Sequence, residues 1–157
     1  MLKRFLIMLV LLWQLPAMGS NEAIDKTLDE FHVAATGANF DKYFSLLATN
    51  SVFLGTDATE RWTKEEFKTF VKPYFSKGKG WRYEPTQRNI SLINEKNMAF
   101  FDELLINKNY GQCRGSGILI KENNQWKILQ YNLSIPVPNH ISNGVVSLIS
   151  NASKLKQ

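Results

Sequence analysis

The chain has 157 residues, of which 44% are hydrophobic, 12% aromatic and 21% charged, and its formal net charge at pH 7 is +5. A chain of this length and composition is enough to bury the core of one ordinary domain. Lys3 and Arg4 account for two of the charges, so the remainder carries +3 without a basic cluster, and no nucleic-acid partner is expected. Because Cys113 is the single cysteine, the chain cannot form an intramolecular disulfide.

Residues 1–19 have the pattern of a secretory signal peptide. A basic start precedes an apolar run over residues 5–15, and the small residues Ala17 and Gly19 follow. The run is shorter than the roughly 20 residues that a membrane-spanning helix needs. We therefore expect cleavage near Gly19, no membrane association afterwards, and an exported protein that is periplasmic or secreted.

The remaining residues, 20–157, have the length of one domain, and their first half is predicted to be largely helical. Apolar side chains recur at helical spacing over residues 22–38 and 41–47. A short apolar strand follows over residues 51–55. Thr63 with Glu66 three positions later forms a capping-box pattern, which predicts the start of a third helix.

The second half is predicted to consist of strands. Alternating apolar and aromatic residues extend over residues 81–133, and turn-forming residues interrupt them at 94–97, 107–109 and 122–124. This pattern indicates a meander of long antiparallel strands. A final helix is predicted over residues 140–155. Helices followed by a strongly curved sheet indicate the α+β class.

Four stretches carry a resemblance to a known family: VFLGTDATERW, KGKGWRYEP, AFFDELLINKNYGQCRGSGIL and WKILQYNLSIPVPN. Together with the order of elements, they resemble SnoaL-like domains of exported bacterial proteins in the nuclear transport factor two-like superfamily. The resemblance implies a cone-shaped barrel, in which a curved antiparallel or mixed sheet wraps around N-terminal helices and its open end holds a pocket. It also implies a homodimer through the sheet. It implies no reaction, because this superfamily includes isomerases, dehydratases, cyclases and proteins without catalysis.

The stretch FLGTDATERW contains the first group of candidate site residues. Asp57 and Glu60 have a simple structural interpretation as turn and helix-start residues. In the functional interpretation, Asp57 or Arg61 faces the mouth of the barrel and Trp62 forms a wall that stacks on a ligand.

The stretch FFDELL places two adjacent acids in a strand. Alternation puts Asp102 and Glu103 on opposite faces, each between two large apolar side chains. A buried carboxylate needs a partner or a proton, and Arg114 is the expected partner because it lies on the next strand. The pair has two interpretations: an internal ion pair that sets strand register, or an acid and a cation presented to a ligand.

Other candidates are single residues. His32 is a candidate general base on the first helix, and Trp81 and Tyr131 are candidates for the pocket wall. By analogy with ketosteroid isomerase, which shares this fold, Tyr131 is also a candidate hydrogen-bond donor to an oxyanion. Cys113 is interpreted as a small buried hydrophobic residue. His32 and His140 form no metal motif, and no cofactor fingerprint is present, so neither a metal nor a cofactor is expected.

Three functions follow from these observations, ranked in this order. The first is binding of a small, at least partly apolar organic molecule without chemistry. The second is an enzyme of the isomerase, dehydratase or hydrolase type, in which Asp57, Asp102 or His32 moves a proton and Tyr131 or Arg114 stabilises negative charge. The third is a structural module that dimerises through the sheet.

Overall fold

The computed structural model describes residues 19–94 and 97–154. All of the predicted signal peptide except Gly19 lies outside these residues, as does Leu155 at the end of the last predicted helix. Within the described ranges, no helix is both long enough and apolar enough to cross a membrane.

The three predicted N-terminal helices are confirmed. They are α1 (Ser20–Thr36), α2 (Phe40–Ser45) and α3 (Lys64–Phe75). The capping box of α3 is present, because the Thr63 side chain accepts from the Glu66 backbone and the Glu66 carboxylate accepts from the Thr63 N–H.

Six strands form one mixed sheet in the order β2-β1-β6-β5-β4-β3. Strand β1 pairs in parallel with β6, and every other neighbouring pair is antiparallel. Because β2 and β3 are its two edges, the curved sheet is not closed, and with the helices it gives the predicted cone-shaped α+β fold. The strands are β1 (Leu47–Leu54), β2 (Arg61–Thr63), β3 (Glu84–Asn94), β4 (Met98–Asn107), β5 (Gly111–Glu122) and β6 (Gln125–Ser134).

Three boundaries differ from the sequence predictions. Strand β1 begins four residues earlier than expected, and β2 is absent from the sequence prediction because three residues are too few to show a period. Trp81 and Tyr83 precede β3 instead of lying in a strand. The reason is that the Trp81 N–H donates to the Ala35 carbonyl at the end of α1. Gly80 permits this approach, since a Cβ there would lie 2.2 Å from the Ala35 oxygen.

The predicted turn after β5 and the C-terminal helix are also confirmed. Asn123 and Asn124 adopt left-handed φ angles of 50° and 61°, a conformation that Asn tolerates well. A 3₁₀ turn at Asn139–Ile141 leads into α4 (Ser142–Lys154).

The helices α1 and α3 cover one face of the sheet, and this packing decides which strand residues are buried. In β4 the residues Phe101, Glu103 and Leu105 point inward, whereas Phe100 and Asp102 point to the outer face. A carboxylate is therefore part of a mostly apolar core.

Candidate functional site

A cavity of about 440 Å³ lies between the helices and the inner face of the sheet. This volume is within the range of about 300–1,000 Å³ that is typical of small-molecule sites. Most of the wall is aromatic. Its rings come from helices, strands and the segment before β3, and they include Phe31, Phe53, Trp62, Phe67, Trp81 and Tyr131.

His32, Glu103 and Tyr131 form a hydrogen-bonded group at the buried end of the cavity. The Glu103 Oε1 atom lies 2.7 Å from His32 Nε2 and accepts a hydrogen bond of 2.8 Å from the Tyr131 hydroxyl. His32 and Tyr131 line the cavity, whereas Glu103 lies behind them and is 0% exposed. The carboxylate therefore fixes the positions of two cavity side chains without itself reaching the cavity.

Arg88 of β3 supplies the counter-charge for Glu103. It lies directly opposite Glu103 in the β3–β4 register, and its Nε donates to Glu103 Oε2 at 2.8 Å. Its other contacts are to α1, where the guanidinium donates to Asp25 and, at 2.8 Å, to Asp29. Arg88 thus connects the buried carboxylate to the surface of the helix that carries His32.

The pKa shifts follow from this arrangement. Burial alone would raise the pKa of Glu103, but hydrogen bonding and electrostatic interaction with His32 and Arg88 outweigh it and hold that pKa below its usual value. Burial, with the adjacent Glu103 charge, raises the pKa of Tyr131 well above its usual value. Glu103 is therefore an anion and Tyr131 a neutral donor near neutral pH.

The ionised carboxylate determines the tautomer of His32. A carboxylate only accepts hydrogen bonds, so the proton of a neutral imidazole lies on Nε2. The lone pair is then on Nδ1, the ring nitrogen that Glu103 does not hold. This is the arrangement in which a histidine is oriented as a proton acceptor.

Gly115 of β5 makes room for this group of residues. A Cβ at this position would lie 2.2 Å from the Tyr131 hydroxyl oxygen and 2.9 Å from Glu103 Oε1. A side chain at position 115 is therefore incompatible with the hydrogen bond between Tyr131 and Glu103.

Tyr43 of α2 has a buried hydroxyl group at the wall of the cavity. Among the described residues, no group accepts a hydrogen bond from it. The Trp81 indole lies edge-on to the Tyr43 ring at 6.1 Å between centroids, but indole is only a donor and cannot take the phenol proton. Burial raises the pKa of Tyr43 far above its usual value, so the hydroxyl keeps its proton.

Four of the predicted site residues line this cavity: His32, Trp62, Trp81 and Tyr131. Tyr131 differs from the expectation in one respect. Its hydroxyl proton is donated to Glu103, so it is not available to an oxyanion.

Asp57 and Arg61 do not line the cavity. The Asp57 carboxylate accepts from the N–H and the hydroxyl of Thr59, as a turn residue does. In β2 the alternation turns Trp62 inward and leaves Arg61 exposed. These contacts support the interpretation of Asp57 as a turn residue.

The expected pairing of Asp102 with Arg114 is corrected by the structure. Both side chains lie on the outer face, and no ion pair between them is present in the described part of the chain; Asp102 instead accepts from Asn89 at 3.2 Å. The buried acid is its neighbour Glu103, and the partner is Arg88. Arg88 is not among the site residues predicted from sequence. Its spacing of two residues from Ile90 does place both side chains on the same face of a strand.

Cys113 is buried, as expected, and burial raises the pKa of its thiol. Among the described residues, no group of three or more His, Cys, Asp or Glu side chains is placed to hold a metal ion.

The fold and the cavity define a class of protein: a cone-shaped α+β domain with an aromatic interior pocket. The SnoaL-like domain model matches residues 24–138, and the chain belongs to this family. No curated protein matches the chain significantly.

Three solved structures show the same fold. An NTF2-like protein of Cytophaga hutchinsonii is 17% identical (TM-score 0.63; 76% of this chain, 100% of that chain). A Xanthomonas campestris protein, provisionally named a calcium/calmodulin-dependent protein kinase II association domain, is 22% identical (TM-score 0.58; 80% and 94%). A Novosphingobium aromaticivorans protein, provisionally named a scytalone dehydratase, is 11% identical (TM-score 0.62; 74% and 84%). At these identities the likeness concerns the fold alone.

Proposed function

We propose that this protein binds a small, mostly apolar organic molecule in its interior cavity. The observation that carries the proposal is an aromatic cavity of about 440 Å³ with His32 held at its buried end. Apolar walls with a few oriented polar groups are the usual composition of small-molecule sites.

Proton transfer on the bound molecule is the second candidate function. It is favoured by the hydrogen bond between His32 Nε2 and Glu103, which leaves Nδ1 as the proton acceptor. In this candidate His32 is the general base, whereas Glu103 and Tyr131 position it. Isomerases and dehydratases that act next to a carbonyl group use a base of this kind to remove a proton.

Binding can be located by the tryptophan side chains. Trp62 and Trp81 border the cavity, whereas Trp126 is not part of its wall. With 6-acetyl-2-naphthol as a two-ring probe, the indole N–H signals of Trp62 and Trp81 should shift saturably in proton–nitrogen spectra. The Trp126 signal should stay in place as the internal control. Equal or non-saturating shifts of all three signals would contradict the proposal.

Solvent exchange distinguishes the two candidates. A general base beside a bound ketone accelerates deuterium incorporation at the carbon next to the carbonyl, so the acetyl methyl group of the same probe reports proton removal. Acceleration by the native protein but not by His32→Gln supports the enzyme. Binding of the probe without faster deuterium incorporation supports a binding protein without catalysis.

We also propose a homodimer formed through the outer face of the sheet. Phe100 and Ile106 on this face are 48% and 44% exposed, although both are large and apolar. Phe100→Lys should convert a dimer into a monomer in light scattering, and a native protein that is monomeric at high concentration would contradict the proposal.

Export is proposed from the basic and apolar pattern of residues 1–19. The intact mass of the protein recovered from cells should match a chain that begins near residue 20. A full-length mass in the cytoplasmic fraction would contradict this.

A further inference from the structure

A second cavity lies between α1, the end of α2 and the turn that joins β5 to β6. Its volume is about 440 Å³, and among the described residues none lines both this cavity and the aromatic one. We call it the lysine cavity, after the three lysines in its wall, Lys26, Lys42 and Lys127. It is a separate site from the one considered above.

The lysines of this cavity come from three different elements. Lys26 is on α1, Lys42 on α2 and Lys127 on β6, so only the fold brings them together. Within the described part of the chain, Glu30 is the one acid in the same wall. Three positive charges against one negative charge leave the wall with a net charge of +2.

Glu30 is shared by two of the lysines. Its Oε2 atom lies 2.5 Å from Lys42 Nζ, whereas its Oε1 atom lies 3.9 Å from Lys26 Nζ. The second distance is too long for a hydrogen bond, and the Lys26 side chain is 63% exposed. The ammonium group of Lys26 therefore keeps donors that Glu30 does not use.

Other groups of the wall are also donors. Lys127 Nζ donates to the Ser45 carbonyl at the end of α2 at 2.7 Å, which holds this ammonium in place. An ammonium group has three N–H bonds, so Lys127 has further donors for another acceptor. The side-chain amides of Asn124 and Gln125 add more. The lysine cavity thus has a surplus of hydrogen-bond donors as well as of positive charge.

Trp126 supplies an aromatic surface in the same wall. It is only 6% exposed, and Lys121 Nζ lies 5.3 Å from the centre of its ring. Lys121 brings a further positive charge close to this ring. Because Trp126 borders this cavity and not the aromatic one, its indole group reports on the lysine cavity alone.

From the charge, the donors and the volume we infer that the lysine cavity binds a small oxyanion with two negative charges, phosphate or the phosphate group of a monoester. A cleft lined by one sign of charge concentrates ions of the opposite sign, and lysines bind phosphate oxygens as point charges. A dianion would balance the net charge of +2. A volume of about 440 Å³ is in the range typical of small-molecule sites, so an organic group attached to the phosphate also fits. This site is independent of the function proposed for the aromatic cavity.

The indole N–H signal of Trp126 measures binding. At about pH 8, where a phosphate is doubly charged, inorganic phosphate should shift this signal saturably. The signals of Trp62 and Trp81, which border the aromatic cavity, should stay in place as internal controls. Potassium chloride at the same ionic strength should give no saturable shift.

Phenyl phosphate distinguishes the two sources of the anion. Tighter binding of phenyl phosphate than of inorganic phosphate supports a monoester whose organic group contacts Trp126. Equal binding of the two supports free phosphate.

Two variants one helical turn apart on α1 test the role of charge. Lys26→Gln removes an ammonium group and should weaken phosphate binding by about 3- to 5-fold, a small factor because this side chain is exposed. Glu30→Gln removes the competing carboxylate and should tighten phosphate binding by a similar factor. Both should leave the melting temperature nearly unchanged, because ion pairs at the surface contribute little to stability.

Lys68→Gln on α3 is the matched control. It changes the net charge of the protein as Lys26→Gln does, but Lys68 is outside the wall of the lysine cavity, so phosphate affinity should stay the same. The assignment would be overturned by the absence of a saturable Trp126 shift, by an equal shift with potassium chloride, or by equal losses in Lys26→Gln and Lys68→Gln. Phosphate affinity that is unchanged in Lys26→Gln, or not increased in Glu30→Gln, would also overturn it.

Discussion

Replacing Glu103 by Gln keeps the size of the side chain and removes its negative charge. Glu103 is 0% exposed and accepts hydrogen bonds from three side chains: His32, Tyr131 and Arg88. In either orientation the amide NH₂ of Gln would face a donor that the carboxylate had satisfied. The buried guanidinium of Arg88 would also lose one of its three carboxylate partners.

The expected magnitude follows from the burial of this group. Removing one partner of a buried ion pair typically costs about 3–5 kcal/mol of unfolding free energy. For a domain of this size the melting temperature should fall by on the order of 10 °C. Urea unfolding followed by tryptophan fluorescence measures the change, and the urea midpoint should fall while the slope stays the same.

The pH dependence supplies a second measurement. Because the pKa of Glu103 is held below its ordinary value of 4.5, its stabilisation is fully present above that pH and is lost as pH falls through the folded-state pKa. The difference in unfolding free energy between the native protein and Glu103→Gln should therefore be constant near neutral pH and become smaller in acid.

Asp102→Asn is the matched control, because Asp102 is the adjacent acid on the outer face of the same strand. This change should alter the unfolding free energy by no more than about 0.5 kcal/mol. A loss below about 1 kcal/mol for Glu103→Gln, or an equal loss for both variants, would contradict a stabilising role of the buried Glu103 charge.

Three further predictions concern stability and reactivity. Gly115→Ala should lose about 1–3 kcal/mol of unfolding free energy because its Cβ would collide with the Tyr131 hydroxyl, whereas Gly144→Ala, with open space around it in α4, should not be destabilised. Thr63→Ala should lose about 1 kcal/mol through the missing N-cap, measured by urea unfolding; no change would contradict the capping role. Cys113, which is buried with a raised pKa, should react with a thiol reagent only in urea, and fast labelling of the folded protein would contradict its burial.

The adjacent acids Asp102 and Glu103 show what strand periodicity predicts and what it does not. Alternation correctly separates Asp102 from Glu103, because neighbouring side chains in a strand point in opposite directions. It does not say which of the two faces the core, since both have large apolar neighbours. That choice depends on which side of the sheet α1 and α3 cover.

Strand periodicity also does not identify Arg88 as the partner of Glu103 in the buried ion pair. The sequence predicts Arg114 as the partner because it lies on the neighbouring strand β5. The strand on the other side of β4 is β3, where Arg88 lies opposite Glu103. Both arginines are plausible from sequence, and only the inward direction of Arg88 distinguishes them.

Three local features follow from the amino-acid sequence alone: the helical stripe of α1, the capping box at Thr63 and Glu66, and the turn at Asn123 and Asn124. These depend on residues a few positions apart, whose geometry the backbone fixes. By contrast, the 2.7 Å contact between His32 Nε2 and Glu103 Oε1, which are 71 positions apart, is a result of tertiary packing. Such a contact depends on how helix and sheet pack, and packing is a property of the whole core rather than of any local pattern.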